Sequence, residues 1–340
     1  MNLLPHSNGV RKVNMKRQRN KKEVFKLVVI VIASLLIIGY AFQSWSNFIA
    51  NEKLRPKVNY TSVNDMRLDY RISGDGKYTV ILDGAMGTNL ETWTPLIEEL
   101  ENDNVKTFVY NRRGYGYSKN GIIRTPEEQA QDLKILLRKA GVSGPYILVG
   151  EEYGSLVLTS FAEQFKDSVQ GVVLIDPINE NEIKSKDYAK SKLFTRIRRK
   201  IESFGSSFGL TTLLDKLDLD VNLKDFESAL EGDTLEEFRI QRTKTSYTNA
   251  VYNELLNLIN GNSDSQKVGV FSEVPYFLLT KDKDDELINL GDKDLSSIHV
   301  TTSKKDFLSV NDTENVANAV RQVIKKLEYI EILEKQAELK

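Results

Sequence analysis

The sequence predicts an α/β fold, in which a mostly parallel central sheet is flanked by helices, preceded by one transmembrane helix. Three observations predict it. After about residue 61, short apolar runs of strand length alternate with longer helical patterns. The run Tyr146–Val149 leads into a corner between two glycines and then into a helical stretch that ends near Phe165. Residues 27–50 carry no charged side chain, as a membrane span requires.

The composition fits one sizeable globular domain with an appendage. The chain has 340 residues, of which 40% are hydrophobic and 28% are charged, and its net charge is −1. This balance of charge gives no reason to expect a nucleic-acid partner. The chain contains no cysteine, which excludes disulfides, thiolate metal sites and a cysteine nucleophile. We expect no cofactor.

The uncharged segment predicts a transmembrane signal anchor over residues 27–48. At about 1.5 Å per residue it is long enough to cross a hydrocarbon layer of roughly 30 Å. Residues 1–26 form a basic tail, and the positive-inside rule places that tail in the cytoplasm. We therefore expect a single-pass protein of the cell membrane with an extracytoplasmic C-terminal domain. The basic residues of the tail are Arg11, Lys12, Lys16, Arg17, Arg19, Lys21, Lys22 and Lys26.

A cleaved signal peptide is the alternative interpretation of this segment. The basic region and the apolar run are both long, and no clean small-x-small cleavage site follows them. We therefore favour an uncleaved anchor. Residues 49–60 are predicted to be a short polar tether that holds the domain close to the membrane.

Glycine-containing turns follow several of the predicted strands. The strand at 78–82 ends in Asp83-Gly84-Ala85-Met86-Gly87, and the strand at 106–110 leads into Asn111-Arg112-Arg113-Gly114-Tyr115-Gly116-Tyr117-Ser118. The strand at 170–175 closes with Asp176-Pro177. Glycine permits the tight backbone turns that such connections need.

Together with Gly150-Glu151-Glu152-Tyr153-Gly154, these motifs resemble those of the α/β-hydrolase superfamily, in its single-domain form with a helical cap. The resemblance covers about residues 65–326. It implies an α/β-hydrolase core made of residues 61–178 and 271–340. A helical cap would be inserted over residues 179–270.

The resemblance also implies that two groups of the catalytic triad have been replaced. The family places a serine nucleophile at the glycine-flanked corner, where this chain has Glu152. The position of the catalytic acid corresponds to Asp284, and Asp306 stands where the family has its histidine. The oxyanion-hole positions correspond to Ala85 and Tyr153.

No other residue is an evident substitute for the missing groups. His6 lies in the predicted cytoplasmic tail, and His299 lies within the last strand, where a packed or edge-strand role is expected. Ser118 is interpreted as a turn residue. Ser155 is interpreted as a small residue that allows contact between helix and sheet.

The leading hypothesis is therefore a pseudoenzyme retained for binding a small molecule or a protein partner. The alternative is an active hydrolase of a small ester, amide or lipid-derived substrate with an unconventional site. Dehalogenases and epoxide hydrolases of this fold use a carboxylate nucleophile at the corner, but they need a histidine for the second step. A purely structural spacer is a third interpretation, and it predicts no cleft under the cap.

Glu152, Asp284 and Asp306 would converge if the fold is kept. Like charges packed together are unfavourable, so three outcomes stay open. The carboxyl groups share a proton, they bind a cation such as Ca²⁺ through oxygen ligands, or they turn apart into solvent.

One segment of the predicted cap is strongly basic. It is interpreted either as a solvated helix face or as a surface that attracts anionic lipid headgroups. Its basic residues are Lys184, Lys186, Lys190, Lys192, Arg196, Arg198, Arg199 and Lys200.

Overall fold

The structure is a computed structural model that describes residues 20–217, 219 and 223–338. It has the α/β-hydrolase architecture that the sequence predicts. The strands are β1 (Asn59–Val63), β2 (Met66–Ser73), β3 (Tyr78–Asp83), β4 (Val105–Tyr110), β5 (Tyr146–Glu151), β6 (Val169–Ile175), β7 (Tyr276–Thr280) and β8 (Ser296–Val300). The helices are α1 (Lys21–Leu54), α2 (Thr94–Glu99), α3 (Pro126–Lys139), α4 (Tyr153–Gln164), α5 (Glu180–Ile183), α6 (Lys186–Ser191), α7 (Leu193–Ser206), α8 (Leu210–Lys216), α9 (Lys224–Glu227), α10 (Gly232–Arg242), α11 (Thr245–Asn260), α12 (Leu308–Asn311) and α13 (Thr313–Glu338).

One mixed sheet organises the domain. Within the described residues it has eight strands in the order β1-β2-β4-β3-β5-β6-β7-β8. Strands β3 to β8 run parallel, whereas β2 pairs antiparallel with both β1 and β4. The carboxyl ends of the parallel strands therefore meet at one edge of the sheet, which is where ligands bind in open α/β sheets.

Helices cover both faces of this sheet. Successive side chains of a strand point to opposite faces, so β5 contributes to two cores. Leu148 packs with side chains of α3 and α4, and Val149 packs on the other face with side chains of α2 and α13. The result is a three-layer arrangement that holds the ends of β3, β5, β6 and β7 side by side.

Helix α1 extends beyond the predicted span. It continues to Leu54, and one turn of 3₁₀ helix follows as far as Lys57. By length and composition this stretch is able to cross a membrane, as an anchor or as a signal sequence. The predicted tether, residues 49–60, is helical over most of its length. Residues 1–19, which include His6 and most of the basic tail, lie outside the described residues.

Helices α5 to α11 are inserted between β6 and β7, where the sequence predicts the cap. The second half of α1 packs against this cap. The buried Gln43 amide donates to the carbonyl of Thr243 at 3.0 Å, and the Asn47 amide donates to the hydroxyl of Thr245 at 3.2 Å. Helix α1 is thus part of the folded domain as well as a candidate membrane span.

Candidate functional site

Glu152 occupies a strained corner between β5 and α4. Its φ of 47° and ψ of −110° lie outside the regions that residues with a side chain favour. The flanking glycines allow the close approach of strand, helix and loop, because a Cβ on Gly154 would lie 2.2 Å from the carbonyl oxygen of Asp83. The chain therefore keeps the geometry of a nucleophile elbow and presents a carboxylate from it.

The Glu152 carboxylate lies against the position where the fold binds a developing oxyanion. Its Oε2 accepts a hydrogen bond from the Met86 backbone N–H at 2.7 Å. Burial raises the pKa of Glu152 overall, although the backbone N–H groups of Met86 and Tyr153 oppose that rise by favouring the ionised form. The carboxyl group of residue 152 thus occupies the place that these two donors face.

The loop donor is one residue further along the chain than the sequence indicates. Ala85, the predicted oxyanion-hole position, turns its carbonyl inward and accepts from Arg112 Nη2 at 3.1 Å and from the Thr88 hydroxyl at 3.0 Å. The N–H that faces Glu152 belongs instead to Met86. Tyr153, the other predicted position, does face Glu152 through its N–H.

Arg112 fixes the loop between β3 and α2. It is 6% exposed, and it donates from all three guanidinium nitrogens. Nε and Nη2 donate to the two carboxylate oxygens of Glu254 at 2.7 and 3.1 Å. Nη1 donates to Asp83 and, at 2.8 Å, to the carbonyl of Gly84. With the Ala85 bond described above, five acceptors match the five N–H groups of the guanidinium.

Two tyrosines complete this buried network. Tyr110 donates its hydroxyl to Asp83 at 2.6 Å, and Tyr115 donates to Glu254 at 2.7 Å. Asp83 stands where the family has a histidine, and Glu254 belongs to helix α11 of the cap. The network therefore joins the core, the oxyanion loop and the cap through buried charges.

Asp306 lies in the loop before α12, and Lys281 neutralises it. The Lys281 Nζ lies 2.8 Å from Asp306 and 2.9 Å from Asp176. Burial lowers the pKa of Lys281, but its hydrogen bonds to Asp306 and Asp176 raise it overall, so this lysine stays charged. Asp306 is thus one member of an ion-paired group.

Asp284 does not join the other two carboxylates. It is exposed, and its backbone N–H donates to the Asp282 carboxylate at 3.0 Å, which holds the loop in a local turn. In the part of the chain that the structure describes, no group of three or more His, Cys, Asp or Glu residues is arranged to hold a metal ion. The hypothetical cation site made by Glu152, Asp284 and Asp306 is therefore not formed.

Glu151 is a buried acid that the sequence analysis did not assign a role. Its carboxylate accepts from the Ser309 N–H at 3.1 Å and from the Ser309 hydroxyl at 2.5 Å, and it so links the elbow to α12. Burial raises its pKa to about 7, Ser309 opposes the rise, and the nearby Glu152 and Asp176 add to it. Its position at the end of the buried strand β5 is the sequence signal that predicts such burial.

The other candidate nucleophiles and bases have structural roles. The Ser155 hydroxyl donates to the carbonyl of Glu152 at 2.5 Å, and the Ser118 hydroxyl donates to Asp69 and to the carbonyl of Asn111. His299 is exposed on the edge strand β8. These placements agree with the interpretation of Ser118 as a turn residue and of His299 as an edge-strand residue.

A cavity of about 250 Å³ opens beside the elbow. Its wall combines apolar side chains with carboxyl groups, and the cap contributes Leu223. The structural-spacer interpretation, which predicts no cleft, does not account for this cavity. The lining residues are Ala85, Met86, Glu151, Glu152, Asp176, Leu223, Asp306 and Phe307.

Comparisons with known proteins agree with this fold. The alpha/beta hydrolase fold family matches residues 78–282, and the chain belongs to that family. The uncharacterized protein YqjL of Bacillus subtilis (strain 168) is 34% identical over 105 residues, which make up 31% of this chain and 41% of YqjL. The chain spans less than half the length of the curated relatives that it matches.

Solved structures show the same architecture. The epoxide hydrolase CorEH superposes with a TM-score of 0.62 at 17% identity, covering 79% of this chain and 99% of that one. A thermophilic esterase from Thermogutta terrifontis gives a TM-score of 0.60 at 19% identity, covering 79% of this chain and 98% of that one. At these identities the likeness concerns the fold alone.

Proposed function

We propose that this chain is a membrane-anchored pseudoenzyme, an α/β-hydrolase-fold protein that binds a small molecule in its cavity, or a partner at its cap, without hydrolysing it. The observation that carries the proposal is the 2.7 Å hydrogen bond from the Met86 N–H to the Glu152 carboxylate. In a working site of this fold, such a donor stabilises the oxyanion of the reacting substrate. Here the protein's own carboxyl group takes that bond and occupies the place that a substrate oxyanion would need.

The position of the catalytic histidine offers no proton carrier for hydrolysis, and Glu151, the buried acid whose pKa lies at about 7, is held by the Ser309 N–H and hydroxyl. A group that takes and returns protons near neutral pH must stand beside the nucleophile. At the corresponding position Asp306 is paired with Lys281 at 2.8 Å, and Asp284 is exposed outside the cavity. Losing nucleophile and base together lowers the rate by about four to six powers of ten. An ester formed on Glu152 would have no partner to activate the water that releases it.

The cavity wall indicates what kind of small molecule it suits. Glu152 is partly buried. Asp176 and Asp306 both form ion pairs with Lys281. Met86 and Phe307 supply apolar surface. A ligand with an apolar body and a positively charged or hydrogen-bond-donating group complements this wall.

The placement in the membrane follows from α1 and the residues around it. The basic residues that precede the apolar stretch support an N-terminus in the cytoplasm and a folded domain outside. Helix α1 is unbroken from Lys21 to Leu54, and Gln43 and Asn47 bond to the cap. Cleavage behind the apolar run would remove these contacts, which supports an uncleaved single-pass anchor in the cell membrane.

A hydrolysis assay tests the proposal. The full-length chain and its Glu152→Gln variant are assayed with p-nitrophenyl esters of short and medium acyl chains, the matching anilides and styrene oxide. We expect rates equal to those of buffer for both proteins, because neither nucleophile nor base is available. Turnover by the native chain that disappears in Glu152→Gln would instead establish the alternative, an active hydrolase of a small ester, amide or lipid-derived substrate with an unconventional site.

A further inference from the structure

Helix α7 of the cap exposes a large apolar face. Its side chains Leu193, Phe194, Ile197, Ile201 and Phe204 are between 51% and 77% exposed. At about 100° per residue, these five positions fall within one arc of roughly 100° on the helix. Five large apolar side chains exposed together form a patch that marks a contact surface.

Basic side chains border this apolar face on both sides of α7. By helical spacing, Arg196 and Lys200 lie along one border of the apolar arc and Arg198 lies along the other. The opposite side carries the buried Glu202 and Ser206 and packs against α11. An apolar arc bordered by basic side chains is typical of helices that lie in the interface of a membrane.

The basic residues of this segment differ in their surroundings. Lys184, Lys190, Arg198 and Arg199 form ion pairs with carboxylates of the cap itself. Arg196 and Lys200 are exposed next to the apolar arc, and Lys186 is exposed on α6. Exposed positive charge thus lies directly beside the apolar face of α7.

The neighbouring helix continues the apolar face. Leu213 of α8 and Leu217 just after it are 54% and 56% exposed. Helix α8 is joined to α7 by a short turn at Gly209, which has a φ of 82°. The two helices and this turn form a hairpin, and α1 packs against its tip.

Helix α1 fixes the depth of that hairpin. A Cβ on Gly39 would lie 2.3 Å from the carbonyl oxygen of Phe208, so the backbones of α1 and the hairpin touch. A helix of about 20 residues crosses the hydrocarbon layer, so a span that begins at Leu27 ends at about Ser46. Gly39 is then about 10 Å inside the far boundary of the hydrocarbon layer. The tip of the hairpin therefore lies at the depth of lipid acyl chains.

We propose that the apolar face of α7, together with Leu213 and Leu217, inserts into the leaflet beside α1, with Arg196 and Lys200 at the lipid phosphate groups. The inference rests on the membrane-anchored part of the proposed function. It adds a second membrane contact, so that the cap lies against the bilayer and the domain has a fixed orientation. A bilayer is the occupant that fits both the depth set by α1 and the basic border of the face.

Depth-dependent fluorescence quenching tests this inference. Because the chain contains no cysteine, a single-cysteine variant takes a label at one site only. The full-length chain with Ile201→Cys, Ile30→Cys or Lys335→Cys is labelled with bimane. Each protein is placed, one copy per disc, in nanodiscs of phosphatidylcholine and phosphatidylglycerol with doxyl-labelled acyl chains. Ile30 reports on the span of α1, and Lys335 lies on α13, which packs against the core.

We expect the label at position 201 to be quenched at least about twofold more than the label at 335, as for a side chain 5–10 Å into the interface. Strong quenching at 30 with none above background at 201 would overturn this inference and leave the anchor intact. No quenching at 30 would overturn the membrane-anchored part of the proposed function. The discs are also prepared with two copies each. A label at 201 that is shielded from solvent only in these discs would show that a second copy, and not lipid, covers the face, which also overturns the inference.

Discussion

Replacing Arg112 with alanine will lower the free energy of unfolding by about 3–5 kcal/mol. The substitution leaves the buried carboxylates of Asp83 and Glu254 without the cation that pairs with them. It also removes the donors to the carbonyls of Gly84 and Ala85. Thermal and chemical denaturation of the full-length chain in detergent, compared with the native protein, measure the loss.

Matched variants separate this effect from a general loss of charge. Lys267→Ala removes an ion pair with Glu163 in which the lysine side chain is 63% exposed, and it should change stability far less than Arg112→Ala does. Adding Glu254→Gln to Arg112→Ala should restore part of the loss, because it removes one of the unpaired buried charges. A loss below about 1 kcal/mol for Arg112→Ala would contradict the role of this network.

The pH dependence of stability should change when Glu151 is replaced by glutamine. Burial raises the pKa of Glu151 from its ordinary value of 4.5 to about 7 in the folded chain. A raised carboxyl pKa means that the native chain loses stability as pH rises through this range, because the folded state resists ionisation. Relative to the native chain, Glu151→Gln should therefore gain roughly 2–3 kcal/mol between pH 5 and pH 8.

Glutamine keeps the shape of the side chain and its bond from the Ser309 N–H, which makes the comparison a close one. Denaturation midpoints of both proteins, measured at each pH, give the difference directly. Glu98→Gln on α2 is the control, since it removes an exposed carboxyl group instead of a buried one. A difference between Glu151→Gln and the native chain that stays constant from pH 5 to pH 8 would contradict the buried, largely protonated carboxyl.

Most of the fold is predictable from the sequence because it depends on local patterns. Apolar runs predict the strands, and Gly150 and Gly154 predict the elbow, whose strained backbone the structure contains. At the start of α3, Thr125 and Glu128 form a full capping box and Pro126 follows the cap. Each of these signals is contained within a few neighbouring residues.

The site is only partly predictable, because its key contacts join distant segments. Glu152 and Asp306 line one cavity as expected, whereas Asp284, the acid that the family resemblance implies, lies in a polar loop whose course no pattern specifies. The pairing of Arg112 with Glu254 joins residues that are 142 positions apart. The pairing of Lys281 with Asp306 depends on the reach of a long side chain. Neither pairing leaves a signal in local sequence.

Oxygen exchange at Glu152 tests the central claim, that the elbow carboxylate occupies the oxyanion position and does not attack substrates. A carboxylate nucleophile acquires an oxygen atom from water each time its ester intermediate is hydrolysed. The full-length chain is incubated with styrene oxide in H₂¹⁸O, because attack of a carboxylate on an epoxide carbon gives an alkyl ester, and the peptide that contains Glu152 is then sequenced by mass spectrometry. Our account predicts the same isotope content at Glu152 with and without styrene oxide, and substrate-dependent ¹⁸O incorporation at that residue would contradict it.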